Sequence, residues 1–451
     1  MKPQATLEPK ALKAAFSALN RQNLLHMKRF PGDSFGRQPV HTVYGGAHLF
    51  KSDSAKKLGE LSLRALSRYA PDAITFSRAV GMDEVLALKV YDRVVEKLKR
   101  EAVEDFRIDF EDGYGNRPDA EEDGHAVSAA EEVAKGLEDG TLPPFIGIRI
   151  KTFSNELSVR SARTMDIFLT TLIRATKGRL PDPFYVTLPK VVHAGQAAAL
   201  HRLLNAFEKK KKLEPCAIKV ELMVETPQSI IGFDGAAPLR AMVDALPGRC
   251  VSAHFGTYDY TASCNVTAAH QRMDHASCDF AKHVMQVTLA GTGINMSDGA
   301  TNVMPVGPHR PAAGEYLSAE QDRENVEAVR RAWKLHYDHA THSLVNGFYQ
   351  GWDLHPAQLP TRYGAVYAFF LGGLPAATAR LKNFIEKAAQ ATLVGDVFDD
   401  AATGQGLLNY FLRARNCGAI TEAEAAATGL TPAEFASRSF LKILAGRRAQ
   451  G

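Results

Sequence analysis

The sequence predicts an α/β protein built on a TIM (β/α)8 barrel. Residues 1–40 form an N-terminal extension, residues 41–360 the barrel, and residues 361–451 a C-terminal helical cap or arm. Short β-rich runs alternate with longer amphipathic runs, and this alternation favours a parallel sheet with helical crossovers. Eight such units favour closure into a barrel. An open doubly wound sheet is the alternative, but no GxGxxG turn follows its first strand.

The strand candidates are short runs rich in β-branched or apolar residues, mostly separated by segments with helical spacing. They are residues 40–45, 106–113, 145–153, 184–192, 217–227, 250–260, 294–299 and 347–356. Two early helices are predicted from apolar stripes at that spacing. The stripes are Leu58, Leu61, Ala65 and Tyr69 in the first helix, and Leu88, Tyr91, Val95, Leu98 and Ala102 in the second.

Composition and charge exclude several classes of function. The chain has 451 residues, 45% hydrophobic and 23% charged, with a formal net charge of +4 spread along its length. Nucleic acid is therefore not an expected partner, and the block Lys209 to Lys212 is interpreted as the solvated end of a helix. No apolar run reaches the roughly 18 residues that a membrane-spanning helix needs. Five cysteines without a CxxC pair predict a reduced, cytoplasmic protein.

Charged and polar residues gather where the predicted strands end, which is where barrel enzymes place their chemistry. These residues are Glu111, Asp112, Arg149, Lys151, Lys190, Glu225, Asp259, Asp298 and His355. Carboxylates brought together at one mouth repel each other, so they require a cation, an arginine or protonation. Oxygen ligands favour Mg²⁺, with Mn²⁺ as the alternative ion. Zinc is disfavoured because no histidine or cysteine cluster lies at these strand ends.

Seven segments, in this order along the chain, carry a resemblance to a known family. They are RIDFEDG (107–113), GIRIKT (147–152), TLPKVV (187–192), LMVETPQSI (222–230), HFGTYDY (254–260), AGTGINMSDG (290–299) and WDLHPAQL (352–359). Together they resemble the HpcH/HpaI aldolase family, specifically its citrate lyase β-subunit group, among the phosphoenolpyruvate/pyruvate-binding barrels. The resemblance covers roughly residues 40 to 410.

The resemblance implies a Mg²⁺-dependent carbon–carbon lyase or aldolase that works through a metal-stabilised enolate. The implied substrate is a small oxo- or hydroxy-acid, with a CoA thioester as one form of it. Carried over to this sequence, Glu225 and Asp259 would be the metal ligands, and Arg149 would clamp the substrate. Glu111 and Asp112 would be catalytic residues that orient Arg149 and metal-bound water, and Asp109 would share this role from deeper inside the barrel.

The resemblance also implies roles at the edge of the site and between subunits. Lys190 and His355 would bind substrate beside Arg149. The segment GDVFDDA (395–401) resembles a C-terminal lid motif, in which Asp399 would reach a neighbouring subunit's site. Family members are commonly trimers or larger, so a homo-oligomer is expected.

Structural roles and other functions stay open as alternatives at this stage. Glu225 and Asp259 could cap helices, Arg149 could form a structural ion pair with Asp112, and His355 could fix the final turn. Phosphoryl transfer with phosphoenolpyruvate or pyruvate is a second function, although the sequence contains no P-loop. A non-catalytic assembly subunit is the third.

Overall fold

The computed structural model describes residues 6–32, 36–312, 314–386, 392–394, 397–399 and 401–450. Eight parallel strands close into one barrel, in which each strand pairs with the next along the chain and β8 pairs with β1. They are β1 His41–Gly46, β2 Asp105–Asp109, β3 Phe145–Arg149, β4 Phe184–Leu188, β5 Ile218–Val224, β6 Cys250–Phe255, β7 Asn295–Ala300 and β8 Gln350–Asp353. The predicted TIM barrel is confirmed.

Helices precede, surround and follow the barrel. The N-terminal helix and the helices up to the last strand are α1 Pro9–Arg29, α2 Ser54–Tyr69, α3 Ala73–Val80, α4 Ala87–Glu101, α5 Asp119–Asp139, α6 Ser158–Ala175, α7 Ala194–Lys211, α8 Pro227–Ile230, α9 Leu239–Asp244, α10 Thr257–Ser263, α11 Ala276–Leu289 and α12 Ala319–Val345. After β8 follow α13 Leu359–Glu386, the hairpin β9 Thr392–Val394 and β10 Val397–Asp399, α14 Ala401–Asn416, α15 Glu422–Ala426, α16 Pro432–Ser437 and α17 Phe440–Gln450. The sequence did not predict this hairpin.

Alternation along the strands separates an apolar outer layer from a polar barrel interior. In β2, Ile108 is fully buried in the hydrophobic core, while its neighbours Arg107 and Asp109 make their contacts with other strands of the barrel. A strand places successive side chains on opposite faces, so residues 107 and 109 share the inner face. Asp109, the first acid of RIDFEDG, thus faces the barrel interior, whereas Glu111 and Asp112 follow the end of β2.

The barrel interior is a hydrogen-bonded network of polar side chains. The Tyr44 hydroxyl lies 3.3 Å from Glu221 Oε1 and 3.2 Å from His254 Nδ1, on strands across the barrel. Arg107 Nε donates to Thr187 Oγ1 (3.0 Å), whose hydroxyl donates to Glu221 Oε1 (2.9 Å). Barrel interiors are more often filled by branched aliphatic residues. Here each buried charge depends on its polar neighbours, since a buried charge without a partner is strongly destabilising.

Three details of the sequence-based element assignment were wrong. Leu61 on α2 is 41% exposed and Leu88 on α4 is 67% exposed, so both helices are rotated relative to the predicted stripes. The candidate strand 250–260 ends at Phe255, and its last residues belong to α10. Tyr258 therefore lies on a helix, where its hydroxyl donates to the Ala300 carbonyl (2.8 Å).

The two ends of the chain pack differently against the barrel. Helix α1 has no buried residue along its described length. The C-terminal helices lie at the amino end of the strands, where Arg413 Nη1 donates to Gln38 Oε1 (3.1 Å), three residues before β1. In the part of the chain that the structure describes, no helix combines the length and apolarity that crossing a membrane requires.

Candidate active site

Arg149 occupies the carboxyl end of β3 and is held by Asp109 at the end of β2. The two residues are direct partners in the strand register. Arg149 Nε donates to Asp109 Oδ1 (2.7 Å) and Nη2 donates to Oδ2 (2.5 Å), which makes a two-bond ion pair between fully buried side chains. Asp109 also accepts the backbone N–H groups of Glu111 (3.0 Å) and Gly113 (2.7 Å). The guanidinium is therefore fixed in one orientation.

Aromatic rings and a second carboxylate complete the surroundings of Arg149. Its guanidinium carbon lies 4.8 Å from the Tyr44 ring centre and 5.5 Å from that of Trp352, within cation–π range. Arg149 Nη1 lies 3.2 Å from Glu111 Oε2. Burial alone would lower the pKa of Arg149, but Asp109 and Glu111 raise it well above its usual value. Arg149 is a permanent positive charge at the mouth.

Lys190 lies between the carboxylates that follow β2 and the one that follows β6. Its Nζ pairs with Glu111, with Asp112 Oδ2 (3.1 Å) and with Asp259 Oδ2 (3.5 Å). Burial would lower the pKa of the Lys190 ammonium, but Glu111 raises it above the usual value. Lys190 has a positive φ of 50° two residues after β4. Left-handed backbone outside glycine is uncommon and concentrates at functional sites.

Glu225 is the more deeply buried of the two predicted metal ligands. It follows β5, is 1% exposed, and accepts the backbone N–H of Lys190 at 2.8 Å. Burial raises the pKa of Glu225 from 4.5 to about 8, and the charge of Asp259 adds to this rise against Arg149 and Lys190. A side chain at residue 256 would collide with the Glu225 carboxyl group, so Gly256 provides the space that it occupies.

Asp259 reaches the mouth from the first turn of α10 and not from a strand. Its side chain is 41% exposed and lies 3.5 Å from Lys190 Nζ. Asp259 and Glu225 therefore meet at the same lysine, through its ammonium group and its backbone N–H respectively. The structure brings together five of the residues singled out at the strand ends: Glu111, Arg149, Lys190, Glu225 and Asp259, with Asp112 at the solvent edge.

The carboxylates of the mouth fit a hard divalent ion by their donor chemistry. Among the described residues, no group of three or more histidine, cysteine, aspartate and glutamate side chains could hold a metal ion. Two carboxylates, Glu225 and Asp259, remain as the candidate protein ligands, so water and substrate oxygens would fill the other positions. Mg²⁺ commonly binds in this way, through one or two carboxylates. A cation there would also offset the repulsion that raises the pKa of Glu225.

The other polar residues near the strand ends make their contacts elsewhere. Asp298 Oδ2 pairs with Lys282 of α11 (3.0 Å) and accepts from Ser343 of α12 (2.6 Å), while Lys151 pairs with Glu122 of α5 (2.9 Å). The expectation that Asp298 joins the mouth was wrong, because its partners belong to the helical layer.

His355 caps the 3-10 turn that follows β8. Its Nδ1 accepts the backbone N–H of Ala357 at 3.1 Å, and burial lowers the pKa of its ring. It lines a cavity of about 250 Å³ beside β1 and α2. Its substrate-binding role stays a prediction. Asp399 ends β10, and its side chain lies outside the described residues.

Sequence reasoning underestimated three contributors to the site. Asp109 was expected only to assist Glu111 and Asp112, but it is the two-bond partner of Arg149. Tyr44 and Trp352 were given no role in the site, yet both rings lie against the guanidinium. For Asp109 and Tyr44 a signal existed, since both lie on strands at positions that alternate with buried apolar residues.

Comparison with a family model gives the chain its place among known sequences. The model described as a domain of unknown function, DUF6986, matches residues 19–443. The chain belongs to this family. No match to this chain is found among curated proteins.

Solved structures give the same fold for this DUF6986 protein. A citrate lyase from Burkholderia xenovorans LB400 is similar over 88% of this chain and 97% of its own, with 19% identity and a TM-score of 0.56. A malate synthase from Haloferax volcanii (90% and 98% covered, 13% identity, TM-score 0.47) and the protein CitE from Mycobacterium tuberculosis in complex with magnesium, acetoacetate and coenzyme A (85% and 99%, 15%, 0.47) are more distant. The likeness to the citrate lyase confirms the resemblance at the level of the fold.

Proposed function

We propose that this protein is a Mg²⁺-dependent carbon–carbon lyase or aldolase-like enzyme. Its substrate is a small oxo- or hydroxy-acid, and a CoA thioester is the candidate form of the acyl partner. One observation carries the proposal: Glu225 and Asp259 lie at the carboxyl end of the barrel beside two fixed cations, Arg149 and Lys190. A mouth of this composition suits an acid that gains negative charge on a carbonyl oxygen during the reaction.

Arg149 positions the substrate through one edge of its guanidinium. Nε and Nη2 donate to Asp109. The remaining nitrogen, Nη1, lies 3.2 Å from Glu111 and faces the mouth. A substrate carboxylate takes the place of Glu111 at Nη1. The rings of Tyr44 and Trp352 limit lateral movement of the guanidinium, so the substrate is held at a defined distance from Glu225.

Glu225 and Asp259 are the residues that would hold the ion. A bound Mg²⁺ would supply Lewis acidity toward a carbonyl group of the substrate. Lys190 keeps Glu225 oriented through its backbone N–H, and its ammonium balances Glu111, Asp112 and Asp259. Because these contacts are in place before a substrate arrives, little reorganisation is needed during the reaction.

Glu111 is the carboxyl group best suited to move a proton. Burial raises its pKa above the ordinary value of 4.5, although Arg149 and Lys190 act against that shift. General acid–base groups work best when their pKa lies near the operating pH. Asp112 is different, since its hydrogen bond with Glu111 and the charge of Lys190 lower its pKa despite partial burial. Asp112 therefore stays ionised and orients Lys190.

The proposal is tested with a substrate panel. The purified chain is incubated with malate-type acids and malyl-CoA-type thioesters, with Mg²⁺ and with EDTA, and cleavage products are followed by mass spectrometry. We expect Mg²⁺-dependent cleavage or the reverse condensation for at least one member, absent in Glu225→Gln. No metal-dependent turnover across the panel contradicts the proposal. ATP-dependent turnover of pyruvate or phosphoenolpyruvate would support phosphoryl transfer in its place.

We also propose that the enzyme is a homo-oligomer. The support is α1, which exposes Leu12, Phe16, Leu19 and Met27 at helical spacing and buries none of them. A second copy of the chain is the proposed cover for this apolar stripe. Light scattering coupled to size exclusion should give a multiple of the chain mass, and Phe16→Asp should reduce it. A wild-type protein that elutes with the mass of one chain contradicts the proposal.

A further inference from the structure

Lys190 contacts both candidate metal ligands, through two different parts of the residue. Its backbone N–H donates to Glu225 Oε1 (2.8 Å), whereas its side-chain ammonium lies 3.5 Å from Asp259 Oδ2. The backbone contact brings no net charge to the site, but the ammonium brings a full positive charge. A metal ion held by Glu225 and Asp259 would therefore share one of its two carboxylates with a positive side chain.

Two further carboxylates hold the ammonium of Lys190 from the side of β2. Nζ pairs with Glu111 and with both oxygens of Asp112, at 3.2 and 3.1 Å. The contact with Asp259 is the longest of the three, and the Asp259 side chain is partly exposed. An ammonium that loses Asp259 thus keeps two counter-charges. Asp259 is consequently the partner that Lys190 gives up most easily.

The charge of the ammonium decides which ions can replace it at Asp259. Two positive charges beside one carboxylate repel each other, and this repulsion is stronger in a partly buried mouth than in bulk water. Exchanging an ammonium for a monovalent ion adds no charge at Asp259. Exchanging it for a divalent ion adds one unit, which strengthens the attraction to both Asp259 and Glu225. The side chain of Lys190 therefore favours divalent over monovalent ions.

We propose that the ammonium of Lys190 is an internal competitor for the cation site. It neutralises Asp259 until a divalent ion binds that carboxylate, and it then stays with Glu111 and Asp112. The two parts of the residue act in opposite directions, since the backbone N–H orients Glu225 for the ion and the side chain opposes the ion. The inference rests on the proposed function, because it takes Glu225 and Asp259 as the metal ligands.

The test is calorimetric titration of Mg²⁺ into the full chain and into Lys190→Gln. This substitution keeps the backbone N–H that binds Glu225 and keeps a non-glycine residue at the positive φ of 50°. Mg²⁺ affinity should rise at least about fivefold, the factor that corresponds to one unit-charge interaction at about 4 Å in water. A side chain that only supports the site would lower the affinity when it is removed. Unchanged or lower affinity in Lys190→Gln overturns the proposal.

Two control variants show whether the gain comes from this particular charge. Lys190→Arg keeps a positive charge at the mouth and should show no gain in Mg²⁺ affinity. Lys334→Gln removes an equal charge from an exposed pair with Asp338 on α12 and should bind Mg²⁺ like the wild type. A gain in either control as large as that in Lys190→Gln contradicts the proposal. Melting temperatures of all the variants show that they fold.

A monovalent salt tests the selection of charge. At constant ionic strength, replacing choline chloride by KCl should weaken Mg²⁺ binding more in Lys190→Gln than in the wild type. Equal weakening in the two proteins contradicts the selection. The outcome also separates this inference from the proposed function. If the wild type binds Mg²⁺ and Lys190→Gln gains nothing, the competitor role is wrong and the metal site stands. If neither protein binds Mg²⁺, the metal dependence of the proposed function is wrong as well.

Discussion

At the carboxyl end of the strands, Arg149 and Lys190 are surrounded by Asp109, Glu111, Asp112 and Asp259. At the amino end, the cavity under the C-terminal helices is lined by Arg413, Arg438 and Lys442 together with amide and hydroxyl side chains. The first end gathers carboxylates around Glu225, and under the proposed function it would be completed by a cation. The two ends of one barrel thus differ in the polar groups that they present.

The largest expected effect is that of Arg149→Lys, which keeps the positive charge but loses the planar pairing with Asp109. Turnover on the substrate found in the panel should fall by about 10²–10³-fold, the scale seen when one fixed donor to a developing oxyanion is removed. Arg163→Lys is the matched control, because Arg163 makes two bonds to Asp123 at the exposed helical surface. Its turnover should be unchanged. Near-wild-type turnover in Arg149→Lys would show that the carboxyl end does not need this geometry.

Glu225→Gln tests whether the carboxyl end requires a cation. Mg²⁺ affinity, measured by titration calorimetry, should fall at least about 100-fold, because even the residues that support metal ligands contribute about 10–100-fold. Asp259→Asn should act in the same direction. Asp112→Asn is the control at the same mouth, and its Mg²⁺ affinity should match that of the wild type. The Asp112 side chain is 58% exposed, and Glu111 and Lys190 hold its pKa low. Equal Mg²⁺ affinity in the wild type and Glu225→Gln would remove Glu225 from the metal site.

The pH dependence of stability should distinguish the two ends. The pKa of Glu225 is about 8 in the fold, against an ordinary value of 4.5. In the unfolded chain Glu225 loses its proton at a lower pH than in the folded protein. The free energy of unfolding without Mg²⁺ should therefore decrease as pH rises from about 4.5 to 8. Melting temperatures in EDTA should show this decrease relative to Glu225→Gln, which cannot ionise. Added Mg²⁺ should reverse it. A constant difference between the two proteins across this range would contradict the raised pKa.

The smallest expected effect concerns Glu101, near the amino end of the strands. Hydrogen bonds from Arg37 and Lys97 lower its pKa from 4.5 to about 2 against the opposing effect of burial. Its stabilising contribution is present above about pH 4.5 and is lost as pH falls toward 2. Glu101→Gln should lower stability at pH 7 by about 1 kcal/mol or less, since the pair is partly exposed. Glu96→Gln on the same helix, where the side chain is 76% exposed, is the control and should change nothing at either pH.

Local pattern was enough to predict the barrel. Period-two alternation indicates strands, and helical spacing of apolar residues indicates helices. Both patterns depend only on nearby residues, so eight strands and most of their crossover helices were predicted from the sequence. Errors arose where neighbouring elements decide the outcome. Leu88 lies at helical spacing but faces solvent. The predicted strand 250–260 ends at Phe255, and Gly256, which leaves room for the Glu225 carboxyl group, precedes α10.

The sequence by itself determined that Arg149, Lys190, Glu225 and Asp259 lie at or after the carboxyl ends of four successive strands, because those positions follow from strand order and chain direction. Only the tertiary structure decided their partners. It pairs Arg149 with Asp109 and places Lys190 between carboxylates that follow two different strands. It also pairs Asp298 with Lys282 of the helical layer. It also set the C-terminal helices at the amino end. Such pairings depend on distances across a closed barrel, which residue spacing along the chain does not encode.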